Sequence, residues 1–529
     1  MTNGKCWCLL VVAVVVAGAL CCAAGGLVSF VLSQPTPTSL PLASPTLTSV
    51  PTPLPTPEDL AAQAAVMVPA ARGDLATLST LPRYDIQVTV DVDTLTYVGQ
   101  ERLLYTNNED IALGEIYLRL FPNARQIYGG GKLKATRVVV AGDEVEPQVE
   151  LEGTALKVPL AQPLPPGAQV ELVLDFKGAV PRDFGPGTEK LSYGIFNYAD
   201  GVLALADWYP ILAVYDDEGW NVDPVYGEGD AVYSDAAFYQ VAITAPWDAV
   251  VVASGSEAGR RAGGEGAITH LYRSGPMRNF FVALSYDFRV VHQRVGDTRV
   301  NSYYLPGHKR GGRQALNFAT DALEVYNEDF GLYPYAELDI IEVPLNRAAG
   351  VEYPGLILIA RSFYLQPGED IFFEFTVAHE VAHQWWYGVV GNDVIDEPWL
   401  DEALTNYSAA LYSEALHGQR SFQRTLDFWQ KSYKGAVERG EDDVVAQSLS
   451  HFAGTSRYGV IVYIKGALFF HALREEIGDE AYFETMRRYY QTYKYGIAEP
   501  EGLLSIAEEV SGRDLDELYR HWILAAEER

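Results

Sequence analysis

Between residues 84 and 290 apolar and polar positions alternate in short runs. YDIQVTVDV, RLLYTN, EIYLRLF, TRVVVAG, QVELVLDF, FYQVAITA and NFFVALSYDF are β-branched or aromatic stretches bounded by Gly, Pro, Asn and Asp. A period of two puts every second side chain on one face, so each run predicts a strand, and their number predicts an all-β domain of sandwich or saddle-like form. The period changes near Asp297. GRQALNFATDALEVYNEDFG repeats its apolar residues at helical spacing, ELDIIEVP reads as one more strand, and from Ile371 onward the pattern is helical with frequent Trp and Tyr. The expected fold is multidomain: a linker or helix over 58–83, the β domain over 84–295 and an α/β-to-α domain over 296–529. No internal repeat is visible.

The N-terminal residues have a different pattern. Cys6 to Leu32 is a run of 27 residues without a charge. At about 1.5 Å per helical residue it reaches roughly 40 Å, more than a hydrocarbon core of about 30 Å. A cleavable signal peptide has an apolar stretch of only about 7–15 residues. The first expectation is therefore an uncleaved transmembrane signal-anchor over 1–33; cleavage near Ala23–Gly26 and secretion is the alternative. Residues 34–57 contain eight prolines and nine Ser/Thr. Such a segment favours extended polyproline conformations and cannot pack a core, so it reads as a stalk. Lys5 precedes the apolar run and Glu58 is the first charge after it, which orients residues 58–529 to the extracytoplasmic side.

Composition narrows the function classes. The 529 residues are 48% hydrophobic and 12% aromatic, enough for a large packed core. A net charge of −31 argues against nucleic acid as a partner, because phosphate binding needs a cationic surface. The cysteines are Cys6, Cys8, Cys21 and Cys22, and residues 23–529 have none. Any metal in the body of the protein must be held by His, Asp or Glu.

Residues 376–386 read TVAHEVAHQWW. His379 and His383 are four apart, so on a helix they project from one face and can bind one zinc ion. Glu380 lies beside them, where it can take a proton from a water that the metal activates. A third ligand is required, and Glu402 in PWLDEALTNYSAAL follows His383 with 18 residues between, room for a loop and the first turn of a second helix. His270, His292, His308, His417, His451, His471 and His521 have no comparable partners and read as structural or exposed.

With this spacing the chain resembles the aminopeptidase N family of zinc metallopeptidases, which share a thermolysin-like catalytic domain. The family's HExxH-x18-E pattern maps onto His379, Glu380, His383 and Glu402. VYIKGALFFHAL is similar to its Tyr-x-Lys-Gly segment, which would make Tyr463 the phenol that hydrogen-bonds the oxyanion; Tyr458 matches a tyrosine of some members. DFGLYPYAELDIIEVP resembles the segment leading into the family's substrate strand. The resemblance covers about 84–529, most strongly 320 to 470. It implies zinc, one ion per chain, peptide substrates and hydrolysis of N-terminal residues. An endopeptidase or other zinc hydrolase on the same site, and a non-catalytic surface module with a vestigial site, are the alternatives. Oligomeric state is not legible.

The chain also departs from the pattern. The family's G-x-M-E-N strand appears as AAGVEYPG, keeping the glutamate as Glu352 with Gly350 at the variable position, Ala349 for Gly, Val351 for Met and Tyr353 for Asn. Glu352 can still pair with a substrate ammonium group. No Gln stands in ALADWYPILAVYDD, where the β domain would be expected to supply a second polar group, and Asp401 replaces an Asn. The 66 residues after Tyr463 suffice for closing helices alone, which predicts a more open cleft than in longer relatives.

Overall fold

The computed structural model describes residues 60–184, 192–366, 368, 371–453 and 455–526. The expected anchor (1–33) and stalk (34–57) lie outside the described residues. Among the described residues no helix is long and apolar enough to cross a membrane.

The alternation seen in the sequence becomes strands with one buried face. In Arg83–Asp91, Tyr84, Ile86, Val88 and Val90 are buried while Thr89 and Asp91 face solvent. This strand runs inside an eight-stranded sheet, parallel to Ala237–Pro246 and antiparallel to Thr96–Thr106. Two four-stranded sheets, containing Val202–Leu205 and Leu113–Arg119, share the same apolar core. Aromatic rings fill it: Tyr84 stacks on Tyr239 at 4.8 Å and meets the edge of Tyr209 at 5.7 Å.

A mixed sheet of five strands follows, in the order Arg289–Val295, Thr298–Tyr304, Glu337–Val343, Leu356–Ala360, Gly350–Tyr353. Arg289–Val295, placed within the β domain by sequence, is hydrogen-bonded along its length to Thr298–Tyr304. It therefore belongs with the second region. A two-residue connection, Gly296 and Asp297, makes a hairpin of the two strands irrespective of the composition before it. The helix Lys309–Asp329 crosses over from Thr298–Tyr304 to the parallel strand Glu337–Val343, burying Ala315, Leu316, Ala319, Ala322, Leu323 and Tyr326. Beyond Ile371 the chain is helical apart from loops, as expected from its pattern.

The short helix Ala61–Ala64 and the 3-10 turns of Pro69–Thr77 form a strap rather than a free linker. Val68 donates to Pro334 O at 3.0 Å and Ala336 to Val66 O at 3.0 Å, fastening the strap beside the strand Glu337–Val343. An all-β region followed by a helix-rich α/β region is the fold class expected from sequence, and both regions lie within one unit from Leu60 to Arg529.

Candidate active site

The motif helix Ile371–Ala382 is apolar almost all round: Phe373, Val377, Ala378, Val381 and Ala382 are buried. Such a helix is stable only inside a protein, and here it lies between the crossover helix and the ligand helix Trp399–His417. Tyr326 of the crossover helix donates to Ala378 O at 3.0 Å. Gln384 ties the end of the motif to the edge strand Gly350–Tyr353. Its Oε1 accepts from Gly355 N at 2.7 Å and its Nε2 donates to Tyr353 O at 3.1 Å.

His379, His383 and Glu402 converge. The Nε2 atoms of the histidines are 3.2 Å apart, and Glu402 Oε2 lies 3.2 Å from one and 3.3 Å from the other. His383 Nδ1 bonds Trp386 O at 3.0 Å, which turns the ring so that Nε2 faces the glutamate. Glu402 Oε2 is buried and accepts a hydrogen bond from no protein donor among the described residues. Two imidazole nitrogens and a carboxylate oxygen, within 4.8 Å of one another, form a donor set that could hold a metal ion such as zinc. Burial alone would raise the Glu402 carboxyl, but the two imidazoles hold it far below the usual carboxylate range. Burial lowers His379. Burial also works against protonating His383, yet Glu352, Glu402 and Glu380 together drive it well above the usual value.

Tyr463 sits on a π-helical turn, Gly459–Lys465, and donates its hydroxyl to Glu402 Oε1; its ring faces that of His379 at 6.0 Å. A π turn widens the helix and redirects a side chain, which brings this phenol into the cleft. Asn406 Nδ2 holds the turn by donating to Tyr463 O at 2.8 Å. Lys465, buried, is bound to Asp442 at 3.0 Å and to Ala525 O at 2.8 Å, and Gly466 lets the turn pack against Ala403. Tyr458 meets Tyr463 edge-on at 5.6 Å, with its hydroxyl buried and without a hydrogen-bond partner among the described residues.

Glu380 lies against the edge strand. A side chain at Gly350 would collide with its carboxyl, so the glycine is required for this approach. Burial, then Glu402 and Asp230, push Glu380 up to about 8, against the pull of His383. Glu352 is buried, and the charges of Asp230 and Glu380 act on its carboxyl. Burial first, then Asp230, raise its carboxyl well above the ordinary value. Asp230 itself is pushed up to about 7 by burial and by Glu402.

Asp230 escaped the sequence reading. It belongs to the loop GEGD of the β region, a composition that signals only a turn. The loop is held by Arg347, which donates to Gly227 O at 3.2 Å and pairs with Glu228 at 3.4 Å. The other predicted residues, His379, Glu380, His383, Glu402, Gly350, Glu352, Tyr458 and Tyr463, all come together at this cleft. Asp401 faces Asn392 at 3.3 Å and Glu402 N at 2.8 Å instead of the cleft. Several histidines outside the motif are hydrogen-bonded to Glu or Asp, among them His270 to Glu257 at 2.8 Å and His308 to Glu342 at 2.7 Å.

Residues 314–522 match the Peptidase family M1 domain. Aminopeptidase M1-B of Oryza sativa is 26% identical over 235 residues, covering 42% of this chain and 27% of the relative. Aminopeptidase M1 of Arabidopsis thaliana is 24% identical over 299 residues, covering 54% and 34%. The matches thus span about a third or less of these curated relatives. Among solved structures, the M1 zinc metallopeptidase of Deinococcus radiodurans superposes with a TM-score of 0.61 at 20% identity, covering 84% of this chain and 93% of its own. A mutant of that protein bound to a Tyr-Ser-Ala substrate superposes with a TM-score of 0.60 at 18% identity, covering 84% and 93%.

Proposed function

We propose that this chain, a member of the aminopeptidase N family of zinc metallopeptidases through its Peptidase family M1 domain, hydrolyses N-terminal residues from peptides with one zinc ion per chain. The observation that carries the reading is a single cleft in which the His379, His383 and Glu402 donors meet Glu380 and the Glu352–Asp230 carboxyl pair.

His379, His383 and Glu402 would hold the zinc. When bound it supplies a Lewis acid, which acidifies water and polarises a peptide carbonyl. Glu380 accepts the proton of the attacking water and delivers it to the leaving amine, for which its place beside the ligands is suited. Tyr463 donates its hydroxyl to the oxyanion of the tetrahedral state, exchanging its bond to Glu402 for one to the substrate. Glu352 and Asp230 bind the substrate's free ammonium group. Glu352 is buried and Asp230 half-buried, and the charge of an N-terminus can pair with both where a mid-chain peptide group cannot. Peptides as substrates are further supported by the Tyr-Ser-Ala tripeptide in the Deinococcus relative.

For the N-terminal segment we retain the signal-anchor, with the catalytic region outside the cytoplasm; the uncharged run Cys6–Leu32 and the Pro/Thr/Ser-rich stretch after it support this placement.

Matched peptides with free and N-acetylated termini test the activity, together with zinc analysis of the parent and an E380Q variant. Zinc near one per chain in both proteins, cleavage of the free peptide alone, and its loss in E380Q are expected. Equal cleavage of both peptides would overturn the exopeptidase reading, and unchanged activity in E380Q would overturn the mechanism.

A further inference from the structure

We propose that Arg278, a residue of the β region, is a positioning residue for the ligand His383, acting through the backbone of Trp386 and Tyr387. The inference rests on the zinc reading above.

After Ala382 the motif helix ends in a tight turn. Tyr387 N donates to Val390 O at 2.7 Å, Gly388 N to His383 O at 2.8 Å, and Val390 N to Trp385 O at 2.9 Å. His383 Nδ1 bonds Trp386 O at 3.0 Å, so the peptide joining Trp386 to Tyr387 sets the direction of the imidazole. Thr405 Oγ1 is also near Nδ1, at 3.2 Å, but the carbonyl is the acceptor that fixes the tautomer. Tyr387 has φ +107°, a conformation that side chains with a Cβ rarely adopt, and it is buried. A turn of this kind persists only if its surroundings hold it.

Arg278 supplies the hold. It lies 109 positions from Tyr387 in sequence and donates Nε to Tyr387 O at 2.6 Å. Its other nitrogens bond Ser234 O at 2.9 Å and Gly496 O. The side chain is 2% exposed, and among the described residues it makes no ion pair; the carboxylate that acts on it most is Asp235, at a distance. Gly391 leaves the space it occupies, since a side chain there would overlap the guanidinium. A buried cation satisfied by carbonyls of three separate segments is a costly means of joining two regions, where apolar contact would serve. What a planar fork adds is direction. It fixes where the Tyr387 carbonyl points, and with it the peptide that His383 bonds.

The test uses the full chain as R278K, as Y387G and as the double variant, with zinc affinity of the metal-free protein read by competition with a chelating dye and folding read by thermal unfolding. Lysine keeps the charge but loses the fork, and glycine adopts the Tyr387 conformation without help. R278K should weaken zinc binding by about tenfold or more, the range found for lost partners of metal-bound histidines. Y387G/R278K should recover most of that loss. Zinc affinity in R278K within about threefold of the parent overturns the proposal, as does a double variant as weak as R278K or an R278K chain that fails to fold with Y387G present. A parent chain that binds no zinc would instead remove the functional reading beneath it.

Discussion

In the β region Glu101 and Asp207 are buried singly, whereas in the cleft four carboxyls, Asp230, Glu352, Glu380 and Glu402, crowd around two imidazoles. Among the described residues neither oxygen of Glu101 is hydrogen-bonded, and burial drives its carboxyl well above the ordinary range. Asp207 accepts from Tyr128 at 2.8 Å and from Asn279 at 3.1 Å, yet burial still pushes it up to about 6. An isolated acid can relieve its desolvation by taking up a proton. Four neighbouring carboxyls also repel one another, and a nearby cation offsets that repulsion. The difference teaches that an acid buried alone is a matter of desolvation, while acids buried together form the setting that suits the metal and ammonium group proposed for the cleft.

The comparison can be broken from the cleft side first. E380Q should reduce kcat by about 10²–10⁴ while zinc content and unfolding temperature stay near those of the parent. A large loss of zinc or stability would make Glu380 structural. Y463F should lower kcat by about 10²–10³ with little change in KM, checked by steady-state kinetics; a change confined to KM would remove the oxyanion role. D230N should lower kcat/KM for peptides with a free N-terminus by roughly tenfold to a hundredfold, the worth of about 1.5–3 kcal/mol for a charged hydrogen bond. Any residual cleavage of N-acetylated peptides should be unaffected, and equal losses on both would show that Asp230 merely shapes the cleft.

The smallest effect is expected in the β region, as a pH dependence of stability. Burial pushes the Asp207 carboxyl up to about 6 in the fold, from an ordinary value of 3.8. Between those values the folded state binds more protons than the unfolded state, so stability falls as pH rises through the window and is level above it. D207N lacks this proton uptake. The stability of the variant relative to the parent should therefore rise between pH 4 and pH 7, by on the order of 2–3 kcal/mol, as measured by denaturant unfolding at both values. A constant difference would mean that Asp207 is ionised in the fold and that the two regions bury acid in the same way.

Much of the fold was legible because its signals are periodic. Tyr84, Ile86, Val88 and Val90 alternate, and the helix Lys309–Asp329 shows a helical stripe. The hairpin at Gly296 and Asp297 defeated the domain boundary, since pairing between neighbouring strands is decided by the connection and not by the composition on either side. Within the site, His379, Glu380 and His383 were readable because one helical turn brings them together, and Glu402 because its distance from them matches a loop and a first turn.

Asp230, Arg278 and Gln384 were not readable. Each reaches the site or its supports across a separation that carries no period, from a loop, a strand end and a helix end whose local sequences have many other uses. The sequence by itself determined which chemistry the chain can hold, because spacing on one helix is local geometry. Only the tertiary structure decided which distant carboxyl joins Glu352 and which cation holds the turn behind His383, because those contacts exist only once the sheets and helices have packed.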